Sequence, residues 1–156
     1  MPAALTPSGP RAGLVAAWRA AIAAVHGETL LQRCSRLEGR EWLIELPDCQ
    51  RRVLLPDAAR GARLRVIGAG KAAASLARGV EAVLAARIDD GLVIVKHGHA
   101  ESLRVCRQLE AGHPLPDEAS ARAAAAVFDF VGRPRAGDGF IVLLTGGASA
   151  LLASSV

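Results

Sequence analysis

At 156 residues, 51% of them hydrophobic and 22% charged, the chain can bury one real core and is far from compositions that stay disordered. The net charge of +4 comes mostly from scattered arginines, and 3% aromatics with no tyrosine leaves no stacking platforms, so nucleic-acid binding is not expected and an anionic small substrate is better suited. Cys34, Cys49 and Cys106 are too far apart for a CxxC pair or zinc knuckle, and no signal peptide or membrane span is read, which predicts a cytoplasmic protein without a membrane partner.

Leu14, Val15, Trp18, Ile22 and Val25 recur at helical spacing and predict one amphipathic helix over residues 11–32. Two short apolar runs, 42–46 and 53–55, flank Pro47-Asp48 and predict a hairpin. After Gly61 the pattern alternates. Residues 64–67 read as a strand, Gly68-Ala69-Gly70 as a turn, and 71–86 as a helix with Leu76, Val80, Val83 and Leu84 inward; 91–95 is a second buried strand.

A less regular strand over 103–109 runs into Ala111-Gly112-His113-Pro114-Leu115-Pro116, whose prolines forbid regular structure. Asp117 is placed to cap a helix reaching about residue 131, and 140–144 is apolar throughout, as a central strand would be. A second strand-to-helix turn, Thr145-Gly146-Gly147-Ala148-Ser149-Ala150, follows, and the helix it opens has about two turns before Val156. Such alternation predicts an α/β fold, a Rossmann-like parallel sheet flanked by helices and incomplete at the C-terminus.

In a parallel sheet, the turns after the strands present helix N-terminal amides that favour anions. Gly68 and Gly70 would let the backbone approach a phosphate, and Lys71 adds a mobile ammonium. A Walker A loop is excluded, because Arg65 stands where its first glycine belongs and Ala72 where its Ser or Thr belongs. The dinucleotide fingerprint fits as Gly68-x-Gly70-x-x-Ala73, yet Lys96 occupies the end of the second strand where the ribose-binding acid belongs; a lysine there could take the extra phosphate of NADP. A plain turn with a solvent-facing lysine is the bland alternative.

The second turn offers the hydroxyls of Thr145 and Ser149 to a phosphorylated or carboxylated ligand, with ordinary helix capping by Ser149 as the alternative. In Lys96-His97-Gly98-His99 no third ligand at suitable spacing completes a zinc site, and His99 is a candidate substrate contact. His113 reads first as a hydrogen-bonded loop anchor and second as a ligand contact.

Four blocks taken in order resemble the glycerate 2-kinase family: Val66-Ile67-Gly68-Ala69-Gly70-Lys71-Ala72-Ala73, Gly98-His99-Ala100, Ala111-Gly112-His113-Pro114-Leu115-Pro116-Asp117, and Thr145-Gly146-Gly147-Ala148-Ser149-Ala150-Leu151-Leu152. The resemblance implies ATP- and Mg2+-dependent phosphorylation of D-glycerate to 2-phosphoglycerate. Residues 1–156 would be part of the N-terminal Rossmann-like domain of such an enzyme, lacking its smaller second domain and therefore inactive alone. Some relatives bear the name hydroxypyruvate reductase, so an NAD(P)H-dependent reductase stays open, as does a non-catalytic nucleotide- or anion-binding remnant.

The resemblance makes Lys71 the functional lysine, stabilising a transferring phosphoryl group or holding glycerate's carboxylate. Gly146, Gly147 and Ser149 match the family's second glycine loop, which would cradle substrate or phosphate through backbone amides. That loop commonly reads Ser-Gly-Gly-Gly-Ser, whereas Thr145 begins it here and Ala148 replaces the third glycine. An alanine held at positive φ would cost about 1 kcal/mol.

Overall fold

A computed structural model describes residues 9–153. Four strands, β4 (Leu64–Ala69), β5 (Asp90–Lys96), β6 (Cys106–Ala111) and β7 (Gly139–Leu144), form a wholly parallel sheet in the order β6-β5-β4-β7. Side chains along each strand alternate between two cores. Val66, Val93, Val95 and Leu143 enter one core, and Ala69, Leu92 and Ile94 enter the other. The first is covered by α3 (Ala73–Leu84) through Ala73, Ala77, Val80 and Leu84. The second is covered by Ala123 of α4 (Glu118–Val131) and Leu151 of the short α5 (Ala148–Leu151). The predicted parallel sheet flanked by helices is therefore the fold.

Asp117 caps α4 as expected. Its Oδ1 accepts from the Ser120 amide (2.9 Å), and the Ser120 Oγ accepts in return from the Asp117 amide (3.2 Å), a reciprocal capping box.

The long opening helix is instead two, α1 (Pro10–Ala24) and α2 (Gly27–Cys34), whose axes differ by 62°. Packing decides where the chain breaks. A Cβ on Gly27 would lie 2.7 Å from Ser75 Oγ, and one on Gly79 2.9 Å from Leu31 Cβ, so α2 and α3 cross at a distance only glycines permit. α1 leaves this contact and buries none of its residues, with Leu14, Trp18, Ile22 and Val25 all exposed. Among the described residues no single helix is long and apolar enough to cross a membrane.

Pro47-Asp48 does join a hairpin, β2 (Glu41–Leu46) to β3 (Cys49–Leu54), with Leu46 paired to Cys49. A further strand missed from sequence, β1 (Ser35–Glu38), completes an antiparallel meander. Trp42 and Leu55 carry this small sheet into the α3-side core.

The irregular strand expected over 103–109 begins only at Cys106, because a buried carboxylate claims the preceding backbone. Glu81 of α3 accepts the amides of Arg104 (2.7 Å), Val105 (3.0 Å) and Cys106 (2.9 Å). Burial by itself would raise the Glu81 pKa, but these three amides hold it below the ordinary carboxylate value. Burial, reinforced by the Glu81 charge, pushes the Cys106 thiol up to about 12. β7 also differs from expectation: among the described strands it is an edge rather than central, and Val142 and Leu144 stay exposed.

Candidate functional site

Numbered along the parallel sheet alone, the strands run third, second, first, fourth, so the chain direction of the winding reverses between β4 and β7. In open α/β sheets ligands bind at that reversal, beyond the strands' C-terminal ends. The turns after β4 and β7 carry the two glycine-rich motifs, which places both at the reversal.

The first turn uses its own amides internally. Gly70 N–H donates to the Ile94 carbonyl (3.2 Å), Lys71 N–H to Gly146 (3.0 Å) and Ala73 N–H to Gly70 (3.2 Å). Ala72 N–H donates to Thr145 Oγ1 (3.1 Å), and Thr145 N–H donates back to Ala69 (3.0 Å). The backbone that Gly68 and Gly70 were expected to open to an anion therefore has its amides engaged by the protein. Gly70, at φ +130°, leaves the space in which a Cβ would lie 2.0 Å from Thr145 Oγ1 and 2.7 Å from the Thr145 carbonyl oxygen. Gly68 lets β4 pack on β5 and α3, since its Cβ would meet Val93 Cγ1 at 3.0 Å and Ala73 Cβ at 3.5 Å. Gly70, with Thr145 as the clip, joins one turn to the other, while Gly68 serves the packing of the sheet.

The second turn is open. Ala148 N–H donates to Thr145 (3.3 Å), and the Ala150 and Leu151 amides donate to Gly147 (both 3.2 Å), while those of Gly146, Gly147 and Ser149 meet no protein acceptor among the described residues. Gly147 supplies the left-handed residue at φ +97°, and Ala148 already belongs to α5. No positive φ falls on Ala148, so the strain anticipated there is absent.

Lys71 reaches over this open turn. Its Cγ lies 3.5 Å from where a Gly147 Cβ would stand, and its Cε 3.8 Å from where a Gly146 Cβ would stand. The lysine is exposed and forms no ion pair among the described residues. His113 reaches the same place, its Cδ2 and Nε2 each 2.8 Å from the same Gly147 point. Lys71 and His113 thus close on one glycine from two different loops.

His113 was read first as a loop anchor, but that task falls to other residues. Asp117 Oδ1 accepts the Gly112 amide (3.1 Å), and Asp117 Oδ2 lies 2.8 Å from His97 Nε2. His97 in turn ties the loop after β5 to β6 through its own amide and the Ala111 carbonyl (3.1 Å). The His97 side chain above all, with the amides of Ser120 and Gly112, holds the Asp117 carboxyl well below the usual carboxylate range. His99 is on the same sheet edge and exposed, outside the contacts that join Lys71, His113 and the Gly146-Gly147 turn.

The gathered groups are chemically of one kind: an ammonium, an imidazole and three uncommitted N–H donors. They suit an oxyanion such as a phosphate or carboxylate. Among the described residues no group of three or more His, Cys, Asp or Glu side chains is arranged to hold a metal ion. The lysine and the open turn are local sequence patterns, whereas His113, a ligand contact only as a second reading, arrives at Gly147 through the fold.

The chain resembles several proteins whose names are known. The chain is 38% identical over 89 residues to a glycerate 2-kinase of Pyrococcus horikoshii, covering 57% of this chain and 20% of that protein. It is 36% identical over 90 residues to a D-glycerate 2-kinase of Thermotoga maritima, covering 57% of this chain and 22% of the relative. A protein of Agrobacterium vitis provisionally assigned as a hydroxypyruvate reductase is 41% identical over 100 residues, covering 64% of this chain and 23% of the relative.

Two solved structures share the fold. A Pyrococcus horikoshii protein superimposes with a TM-score of 0.70 at 26% identity, covering 93% of this chain and 31% of that one. A Thermotoga maritima glycerate kinase superimposes with a TM-score of 0.66 at 24% identity, covering 92% and 30%. The chain thus spans about a fifth to a quarter of these curated relatives and under a third of the solved chains. A family model described as "Domain of unknown function (DUF4147)" matches residues 13–156, nearly the whole sequence, and the chain belongs to that family, whose homologues include glycerate 2-kinases.

Proposed function

We propose that this chain forms one wall of the active site of an ATP-dependent glycerate 2-kinase, the enzyme that converts D-glycerate to 2-phosphoglycerate. One observation carries the reading: Lys71 and the uncommitted amides of Gly146, Gly147 and Ser149 meet at the point where the sheet's winding reverses. Phosphoryl transfer asks a protein mainly for positioning and for positive charge around the moving group. The amides would hold an oxyanion in place, and Lys71 would neutralise charge that grows on it in the transition state. Mg2+ would arrive with the nucleotide and supply further positive charge, since no carboxylate, histidine or cysteine cluster among the described residues is arranged to hold it.

The remaining wall would come from polypeptide such as the relatives carry outside their matched segment, so the 156-residue chain alone is expected to lack turnover. The reductase reading draws on the name of the Agrobacterium relative and on the Gly68-x-Gly70-x-x-Ala73 spacing. It requires a pyrophosphate on the first turn, whose amides are already taken and whose glycine faces Thr145.

Calorimetry with ATP, D-glycerate and NADPH tests the choice, paired with a coupled kinase assay on the chain co-purified with the complementary part of a relative. Lys71→Ala should abolish phosphorylation of glycerate in the reconstituted sample, a loss of about 100-fold or more. NADPH binding in place of ATP would overturn the kinase reading, and nucleotide binding with no turnover after reconstitution would favour a non-catalytic module.

A further inference from the structure

His113 is held by a loop that does not need its imidazole. Asp117 fixes that loop through the Gly112 amide, and the Asp117 carboxylate is itself fixed by Ser120 and His97. The ring is nevertheless half-buried, and it takes no hydrogen bond or ion pair among the described residues. A polar ring edge in such a place ordinarily finds a partner.

Its direction is informative. The two ring atoms nearest Gly147 are Cδ2 and Nε2, so the hydrogen-bonding nitrogen faces the turn whose amides are uncommitted. Glycine at 147 has two separate causes, the φ of +97° and the ring itself, since a Cβ would stand 2.8 Å from Nε2. Any side chain at 147 would push the imidazole away from the turn. Lys71 Cγ bounds the same space, 3.5 Å from that Cβ.

Building on the reading of this turn as an oxyanion site, we propose that His113 is a ligand-contacting residue whose Nε2 donates a hydrogen bond to an oxygen of the phosphate or carboxylate held over Gly146 and Gly147. The imidazole and the Lys71 ammonium then both reach the anion while the amides form its floor. Nothing in this arrangement requires His113 to move a proton; it positions the oxyanion.

The chain has four histidines, so the test carries internal references. Imidazole and amide resonances are followed by NMR as inorganic phosphate, and separately D-glycerate, is added to the whole chain. The His113 ring resonances should shift along a saturable curve shared with the Gly146 and Gly147 amides, with His26 unmoved. His113→Gln should weaken binding of the responding probe by about fivefold or more. The probe that shifts the ring tells whether phosphate or carboxylate is the partner.

Shifts of the Gly146 and Gly147 amides with an unmoved His113 ring would overturn the proposal and leave the oxyanion site standing. No shift of amides or ring with either probe would remove both. The wild-type ring signal decides the matter even where His113→Gln unfolds, because a merely structural imidazole has no reason to follow a ligand titration.

Discussion

Gly70→Ala is the sharpest perturbation of the two-turn junction. At φ +130° the backbone lies outside the left-handed basin that an L-residue tolerates, at a cost of about 1–3 kcal/mol. The added methyl would stand 2.0 Å from Thr145 Oγ1 and 2.7 Å from the Thr145 carbonyl oxygen. The hydroxyl could rotate away only by giving up the Ala72 amide, about 1 kcal/mol, whereas the carbonyl is backbone and must carry the turn after β7 with it. Forced repacking adds a comparable amount, and the whole comes to about 4 kcal/mol.

A domain of this size has about 5–15 kcal/mol in total, so the variant should fold but unfold far earlier, its urea midpoint falling by about 2 M. Gly98→Ala is the matched control: φ is +73°, also positive, but nothing lies within 4 Å of the new methyl. It should cost only about 1 kcal/mol. If Gly70→Ala loses no more than Gly98→Ala in urea unfolding, the argument that Gly70 exists to let the turns touch is wrong.

Thr145→Val keeps the shape of the clip but strands the Ala72 amide, and should lower stability by about 1–2 kcal/mol where Thr145→Ser is nearly neutral; thermal unfolding of the pair checks this. Cys106, with its thiol pushed up to about 12, should resist iodoacetamide at pH 8 in the folded protein while the more accessible Cys34 and Cys49 are alkylated, and peptide mapping that finds equal labelling refutes it. Glu81 has a folded-state pKa below its unfolded value, so its contribution is complete above the ordinary carboxylate pKa and is lost as the pH falls through the folded one. Glu81→Gln should therefore cost about 2 kcal/mol at pH 7 and progressively less as the pH falls below the ordinary carboxylate range, the urea midpoints of variant and wild type converging.

What the sequence made legible was what repeats. The apolar runs of β4, β5 and β7 and the 3.6-residue spacing of α3 announce a parallel sheet with helices, and Asp117 announces the start of α4. The opening helix was misread because Leu14, Trp18 and Ile22 satisfy the helical period whether or not anything covers them, and the break after them is set by Gly27 meeting Ser75, a contact between distant segments. Strand β6 was misplaced for the same reason: Glu81 captures the amides of Arg104, Val105 and Cys106 from 23 to 25 residues away. The site divides likewise. Lys71 and the second turn are local patterns, whereas the arrival of His113 at Gly147 is a product of the fold.

The two glycine turns look interchangeable in sequence, and the fold makes them unequal. For two adjacent parallel strands to place both following turns at one ligand, one turn must first be fastened to the other, and fastening consumes amides. The turn after β4 has all four of its amides engaged, two fastening it to the second turn at Gly146 and Thr145 and two going to Ile94 of β5 and to its own Gly70. That leaves it a single group to offer, the Lys71 side chain, which has the length to pass over the junction. The turn after β7 contributes one carbonyl, one hydroxyl oxygen and one backbone amide to the fastening and keeps the donors of Gly146, Gly147 and Ser149. Backbone recognition therefore belongs to the second turn and mobile charge to the first. A Lys71 substitution should accordingly weaken charge stabilisation with little effect on folding, while substitution at Gly147 should destroy the floor of the site and displace His113 together.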